Sequence, residues 1–242
     1  MRKDDLYAIG FAALVCVVCS LVLSATAQLL KERQDMEVEL DRKLNVLKAF
    51  GVPVVDEAGK KLSKEKVDTY FETNISEVFL DKETGDLLTD FTSADLPPAE
   101  LRARTIEDKE HLPLYVWRDD GQIQKYAFPI SGMGLWSIVY GYMALDRDLS
   151  TIIGVTFYKH GETPGLGGEV STEWFQSQFH DKVIYKDGEL QPIQVVKGEA
   201  PAGSDHQVDG ISGATMTGNG LNQFMNRDLQ YYNRYFSKVR GS

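Results

Sequence analysis

Cysteine is nearly missing from these 242 residues: Cys16 and Cys19 are the only two, and both sit inside an apolar run near the N-terminus. No disulfide framework and no thiolate zinc site can be assembled in the rest of the chain. Histidine is almost as scarce. His111, His160, His180 and His206 are scattered without an H-x-x-x-H spacing, so the pattern that puts two imidazoles on one helix face at a metal is lacking. No metal site is expected. Basic charge is also in deficit, since 26 Lys and Arg against 36 Asp and Glu leave a formal charge of −10. A nucleic-acid binder shows a basic face, and an acidic chain gains nothing from an anionic lipid surface. Partners are expected among proteins and small molecules. What remains, 43% hydrophobic and 26% charged, is an ordinary globular mixture with enough apolar residues for a real core.

Charge is absent altogether from residue 6 to residue 30. As a helix this run would be roughly 37 Å long, against a hydrocarbon core of roughly 30 Å. Ala25-Thr26-Ala27 has the small-x-small form of a signal cleavage site, but the run exceeds the roughly 7–15 residues of a signal h-region. It reads as a transmembrane anchor. Arg2 and Lys3 precede it and Lys31, Arg33, Arg42 and Lys43 follow it, a count that leaves the side of the following domain open, because whole domains translocate regardless of charge.

Beyond the anchor, Met36, Leu40, Leu44 and Leu47 recur at helical steps, with Gly51 and Pro53 as the stop. A second short helix is expected after Ser63, with Val67, Tyr70, Phe71 and Ile75 on one face. The polar stretch 81–108, with Gly85, Pro97 and Pro98, reads as irregular connection. From Leu114 the pattern changes to paired strands: 114–117, a turn at Asp120-Gly121, then 123–130, 136–145 and 152–158. Asp187-Gly188 joins 183–185 to a run ending at Val196. A helix is expected after Ser171 with Phe175 and Phe179 inward. A last one carries Leu221, Phe224, Met225, Leu229, Tyr232 and Phe236 in one stripe. The fold class is α+β: a single N-terminal transmembrane helix, then a soluble domain with a largely antiparallel sheet and flanking helices.

Two loops carry candidate chemistry. Gly161-Glu162-Thr163-Pro164-Gly165-Leu166-Gly167-Gly168-Glu169 follows a strand and is glycine-dense, so its backbone can approach something flat, or simply make a wide turn. It matches neither G-x-G-x-x-G nor a P-loop. The second is Asp209-Gly210-Ile211-Ser212-Gly213-Ala214-Thr215, followed by the last helix. Small residues leave the hydroxyls of Ser212 and Thr215 accessible at a helix N-terminus, where free amides and the helix dipole favour a phosphate. The plainer reading is a capping turn with Thr217 as N-cap. A serine hydrolase elbow fails here, because Gly210-Ile211-Ser212-Gly213-Ala214 lacks the final glycine and no His follows Ser212.

Three stretches together, Gly134-Leu135-Trp136-Ser137, Thr156-Phe157-Tyr158 leading into the 161–169 loop, and Asp209 to Thr215, resemble the covalent FMN-binding domain family. That family includes the NqrC component of the bacterial sodium-translocating NADH:quinone oxidoreductase and the RnfG component of the Rnf complex. The resemblance implies that Thr215 accepts FMN as a phosphoester from a separate flavin transferase, with Asp209, Ser212, Gly213 and Ala214 as the recognition pattern. It also implies that Thr163, Gly165, Leu166, Gly167 and Trp136 neighbour the flavin ring. The family role is to carry electrons from an iron–sulfur centre to another flavin, beside the B, D, E and F components of the complex, with the domain outside the cytoplasm at the inner membrane. No residue is then required as catalytic base or nucleophile. The division implied is a flank at 1–5, the anchor at 6–30, a helical and irregular part at 31–112, and the FMN-binding domain at 113–242. An Rnf-type electron-transport component, or a cofactor-free anchored assembly module, are the alternatives.

Overall fold

The computed structural model describes residues 3–56 and 59–241. The chain divides into two compact units, Met1–Lys43 and Leu44–Ser242. Helix α1 (Lys3–Ala49) makes up the described part of the first unit and ends inside the second. Its apolar part is exposed along its length, and Ile9–Ala49 is long and apolar enough to cross a membrane. The expected anchor and the helix after it are one continuous element, because neither Gly nor Pro interrupts the chain between residues 30 and 49. It stops where the sequence puts a stop: Gly51 adopts φ 81°, and the Val52 amide donates to the Leu47 carbonyl at 3.0 Å, closing the last turn.

The last turn of α1 already belongs to the second unit's core, with Leu44, Val46, Leu47, Ala49 and Phe50 buried. Helix α2 (Lys64–Thr73) follows and buries Val67. The chain then enters strand β1 (Ile75–Asp81). Here the structure corrects the sequence reading: Ile75 opens a strand instead of closing a helix face. The 81–108 stretch is not wholly irregular either, since β2 (Leu87–Leu88) pairs with β1 and a short helix α3 (Pro98–Leu101) follows.

Strands β3 (His111–Asp119), β4 (Gln122–Met133), β5 (Ile138–Asp146) and β6 (Ile152–Lys159) complete a six-stranded antiparallel sheet in the order β2-β1-β3-β4-β5-β6. The β3–β4 connection is the Asp120-Gly121 turn, both residues at positive φ, 46° and 78°, the backbone twist that a two-residue hairpin needs. The pairing of β1 with β3 runs across the expected 112/113 division, so one sheet includes residues from both sides of it.

After β6 come a 3-10 turn at Gly167–Ser171 and helix α4 (Glu173–Ser177). Phe175 and Phe179 are both fully buried, although Phe179 lies past the helix end. Asp187-Gly188 closes a small hairpin of β7 (Tyr185–Lys186) and β8 (Glu189–Leu190). Val195 belongs instead to β9 (Gln194–Val195), which pairs in parallel with β10 (Gln207–Val208).

Helix α5 (Thr215–Arg240) lies across β4. Its expected stripe from Leu221 to Phe236 is fully buried, with Phe128 against Tyr232 at 4.4 Å and against Phe236 at 5.6 Å between ring centres. Each such side chain contributes about 1.5–3 kcal/mol of burial. The other face of the sheet carries Tyr115 and Trp117, which meet Phe71, Tyr70 and Phe50 from α2 and the end of α1.

Candidate functional site

Thr215 is the first residue of α5, and its side chain is exposed. The residue before it, buried Ala214, takes the N-cap position and offers no side-chain cap. Thr217 is therefore not the N-cap that its residue type suggests. It sits within the first turn, buried, and its hydroxyl donates to Glu162 Oε2 at 2.7 Å. The amides at the start of α5 have no side-chain cap, which is the arrangement that suits an anion.

A cavity of about 700 Å³ opens at this helix start. Its walls are Trp174, the segment 195–199, the segment 209–215, Gly218 and Asn219. Two amide side chains on α5 fix one wall in place. Asn222 accepts from the Val195 amide at 2.7 Å and donates to its carbonyl at 2.9 Å, and Asn226 does the same for Ile193 at 2.9 and 3.0 Å. Beside it Asp209 is fixed in turn: its Oδ1 accepts from the Ala200 amide at 2.7 Å and its own amide donates to Gln178 Oε1 at 2.8 Å. Lys197 is the one basic side chain among the described residues lining the cavity, which the carboxylates of Glu199 and Asp209 also line.

Five of the ten residues singled out from the sequence, Asp209, Ser212, Gly213, Ala214 and Thr215, line this cavity. Thr163, Gly165, Leu166, Gly167 and Trp136 do not. They belong to a second cluster that touches the first. Leu166 Cδ2 lies 2.8 Å from where a Cβ on Gly213 would stand, and Gly213 has φ 73°. The Thr163 carbonyl holds the loop by accepting from the Leu166 and Gly168 amides at 3.2 and 2.9 Å. Trp136 is exposed at 69%, yet its amide donates to Glu162 Oε1 at 2.9 Å.

Glu162 was not singled out as a site residue, and the structure makes it the point where two of the motif stretches, 134–137 and 161–169, meet the first turn of α5. Its carboxylate accepts from the amides of Leu135, Trp136 and Ser137 at 3.1, 2.9 and 3.0 Å, and from Thr217. Burial pushes this carboxyl up, but the Thr217 hydroxyl and the three amides outweigh burial and hold it below its ordinary value. Trp174, Lys197 and Asn219 were missed as well; nothing in their local sequence marks them, because each reaches the cavity only through the tertiary fold.

The geometry suits a small phosphorylated molecule. The volume falls within the roughly 300–1,000 Å³ of small-molecule sites, the wall beside Thr215 is made of Gly, Ser and Ala, and an exposed hydroxyl stands at a helix start. Residues 134–230 match the model of the FMN-binding domain, a stretch that contains both loops and most of α5. Over 228 residues the chain is 36% identical to the C component of the Na(+)-translocating NADH-quinone reductase of Yersinia pestis, covering 88% of this chain and 84% of that protein. The chain belongs to the NqrC family. The corresponding protein of Vibrio campbellii is 34% identical over 232 residues, covering 88% of this chain and 86% of that one.

Solved structures of the family have the same architecture. NqrC of Shewanella oneidensis superposes with a TM-score of 0.69 at 27% identity, over 84% of this chain and 97% of that one. The Parabacteroides distasonis member superposes at 0.70 and 29% identity, over 86% and 96%. The α+β class with one long apolar N-terminal helix, expected from the sequence, is the fold of the family.

Proposed function

We propose that Thr215 carries FMN through a phosphoester, and that this chain is the membrane-anchored flavoprotein component of a sodium-translocating NADH:quinone reductase. The observation that carries the reading is the exposed Thr215 hydroxyl at the first position of α5, on the wall of the cavity, within the segment matched to the FMN-binding domain. When bound, the flavin supplies one- and two-electron redox chemistry that no side chain here can supply. The chain's own residues position it. The amides opening α5 and the Lys197 ammonium offset the negative charge of a phosphodiester. Ser212, Gly213 and Ala214 leave the hydroxyl open to a flavin transferase that uses FAD as donor, with Asp209 fixing the loop. Leu166, on the Gly165-Leu166-Gly167 turn, presents an apolar contact for the ring, flanked by Thr163 and Trp136.

In this reading electrons arrive from an iron–sulfur centre and leave to another flavin among the B, D, E and F components. Helix α1 spans the inner membrane, and the domain faces the periplasm. A covalent tether keeps the group at high local concentration where a dissociated one would be lost. The test is to produce the chain together with its transferase and view a denaturing gel under ultraviolet light. A fluorescent band is expected that disappears in Thr215→Ala; no band with a transferase proven active on another substrate would leave a cofactor-free assembly module as the better account.

A further inference from the structure

Glu162 is a buried carboxylate, 5% exposed, with no cation among its described partners. Burying a charged group is costly unless hydrogen bonds replace its water. Here four donors do so, and they come from two places far apart in sequence: three consecutive amides at 135–137 and the hydroxyl of Thr217, which lies 55 residues beyond Glu162 itself. The surroundings leave room for nothing else. A Cβ on Gly134 would stand 2.8 Å from Glu162 Oε1, and one on Gly167 would stand 2.8 Å from Oε2 and 2.5 Å from Thr217 Oγ1. Ser137 adds a further link, its hydroxyl accepting from the Gly161 amide at 2.6 Å. The glycines beside the carboxylate are thus explained by Glu162 itself and need no ring against them.

We propose that Glu162 is the positioning residue of the flavin site, its carboxylate binding the 134–137 loop, the Leu166 turn and the first turn of α5 into one body. The inference rests on the attachment at Thr215 proposed above. Glu162 does not touch the tether. It acts through Thr217, two residues along the helix from Thr215, and through the loop that presents Leu166 to Gly213. Its neutral analogue, Gln, keeps the size but turns half of the acceptor into a donor that faces amide N–H groups. That swap loosens the loops while leaving the sheet and α5 in place.

The test uses the full chain, produced with its transferase and purified in detergent, as wild type, Glu162→Gln and Thr217→Val. Three readouts are taken: the fluorescent band on a denaturing gel, hydrogen exchange at the amides of 135–137, and the visible circular dichroism and midpoint potential of the bound flavin. In Glu162→Gln the band should remain. Exchange at the three amides should rise at least tenfold, with the visible dichroism weakened and the potential shifted. Thr217→Val, which removes one donor at nearly constant volume, should give the same loss of dichroism with a smaller change in exchange. Wild-type dichroism and potential in a folded Glu162→Gln would overturn the positioning role and leave the attachment intact. If that variant fails to fold, Thr217→Val decides in the same way. A wild type without a fluorescent band would overturn the attachment and this proposal with it.

Discussion

Leu166 lies against Gly213, its Cδ2 standing 2.8 Å from the position of a Cβ that Gly213 lacks. The two glycine-bearing loops of the sequence meet at this contact, and it carries the first prediction. Gly213→Ala places a methyl group against Leu166 at φ 73°, a left-handed conformation that costs a non-glycine residue about 1–3 kcal/mol. Chemical denaturation should show a loss of that size. Flavin attachment should fall in parallel, and an unchanged midpoint with full attachment would remove this contact from the account.

Leu166→Lys should behave differently. The side chain is exposed at 42%, so the substitution leaves the fold and the bond at Thr215 intact. It replaces the proposed apolar contact for the ring with a cation, and the midpoint potential of the bound flavin should rise, because a nearby positive charge favours the reduced, more negative form. A potentiometric titration that matches wild type would place Leu166 outside the site.

How much of this was legible in the sequence depends on how far apart the interacting residues lie. The β3–β4 hairpin could be read because Asp120-Gly121 fixes its turn locally, and the stripe on α5 because burial recurs at helical spacing. Strand β1 was missed because its signal is tertiary: Ile75–Asp81 carries two acids and gains its place only by pairing with β3, about 35 residues on. Thr217 was misassigned for the same reason. Next to a helix start a threonine reads as a cap, and only the fold brings Glu162 close enough to take its hydroxyl instead. The proposed attachment residue was read from a motif; its cavity was not, since Trp174 and the 195–199 segment arrive from elsewhere in the chain.

Asp228 gives a pH prediction. It is fully buried on α5, and burial pushes its carboxyl up to about 6, although the Ser131 amide and Arg227 pull the other way. The folded state thus holds this proton more tightly than the unfolded chain, whose value is near 3.8. Its contribution to stability is full below that value and is lost as pH rises through about 6. The difference in unfolding free energy between wild type and Asp228→Asn should therefore shift in the variant's favour by about 2 kcal/mol between pH 4 and pH 7. Glu162, held below its ordinary value, has the opposite slope and loses its contribution as pH falls. Denaturation curves at a series of pH values check both, and a difference independent of pH would contradict the assignment for Asp228.

Gly220→Val tests the seat of the last helix. A Cβ there would run into the Met133 carbonyl at the end of β4, and overpacking of this kind costs about 1–3 kcal/mol. Thermal unfolding should drop accordingly, while Gly218→Ala, where the nearest atom is Val195 Cγ1 at 3.4 Å, should cost less. Equal losses at the two positions would argue against the close approach at Gly220.

That seat has a mechanical consequence. The ring of Phe224 fills the place of a side chain at Gly132, just as the Met133 carbonyl fills one at Gly220, so the start of α5 cannot slide along the sheet or lift from it without opening the core. Thr215 is then a fixed peg. Any travel of a group hung from it is limited by the length of its tether, and a redox partner has to come within that radius.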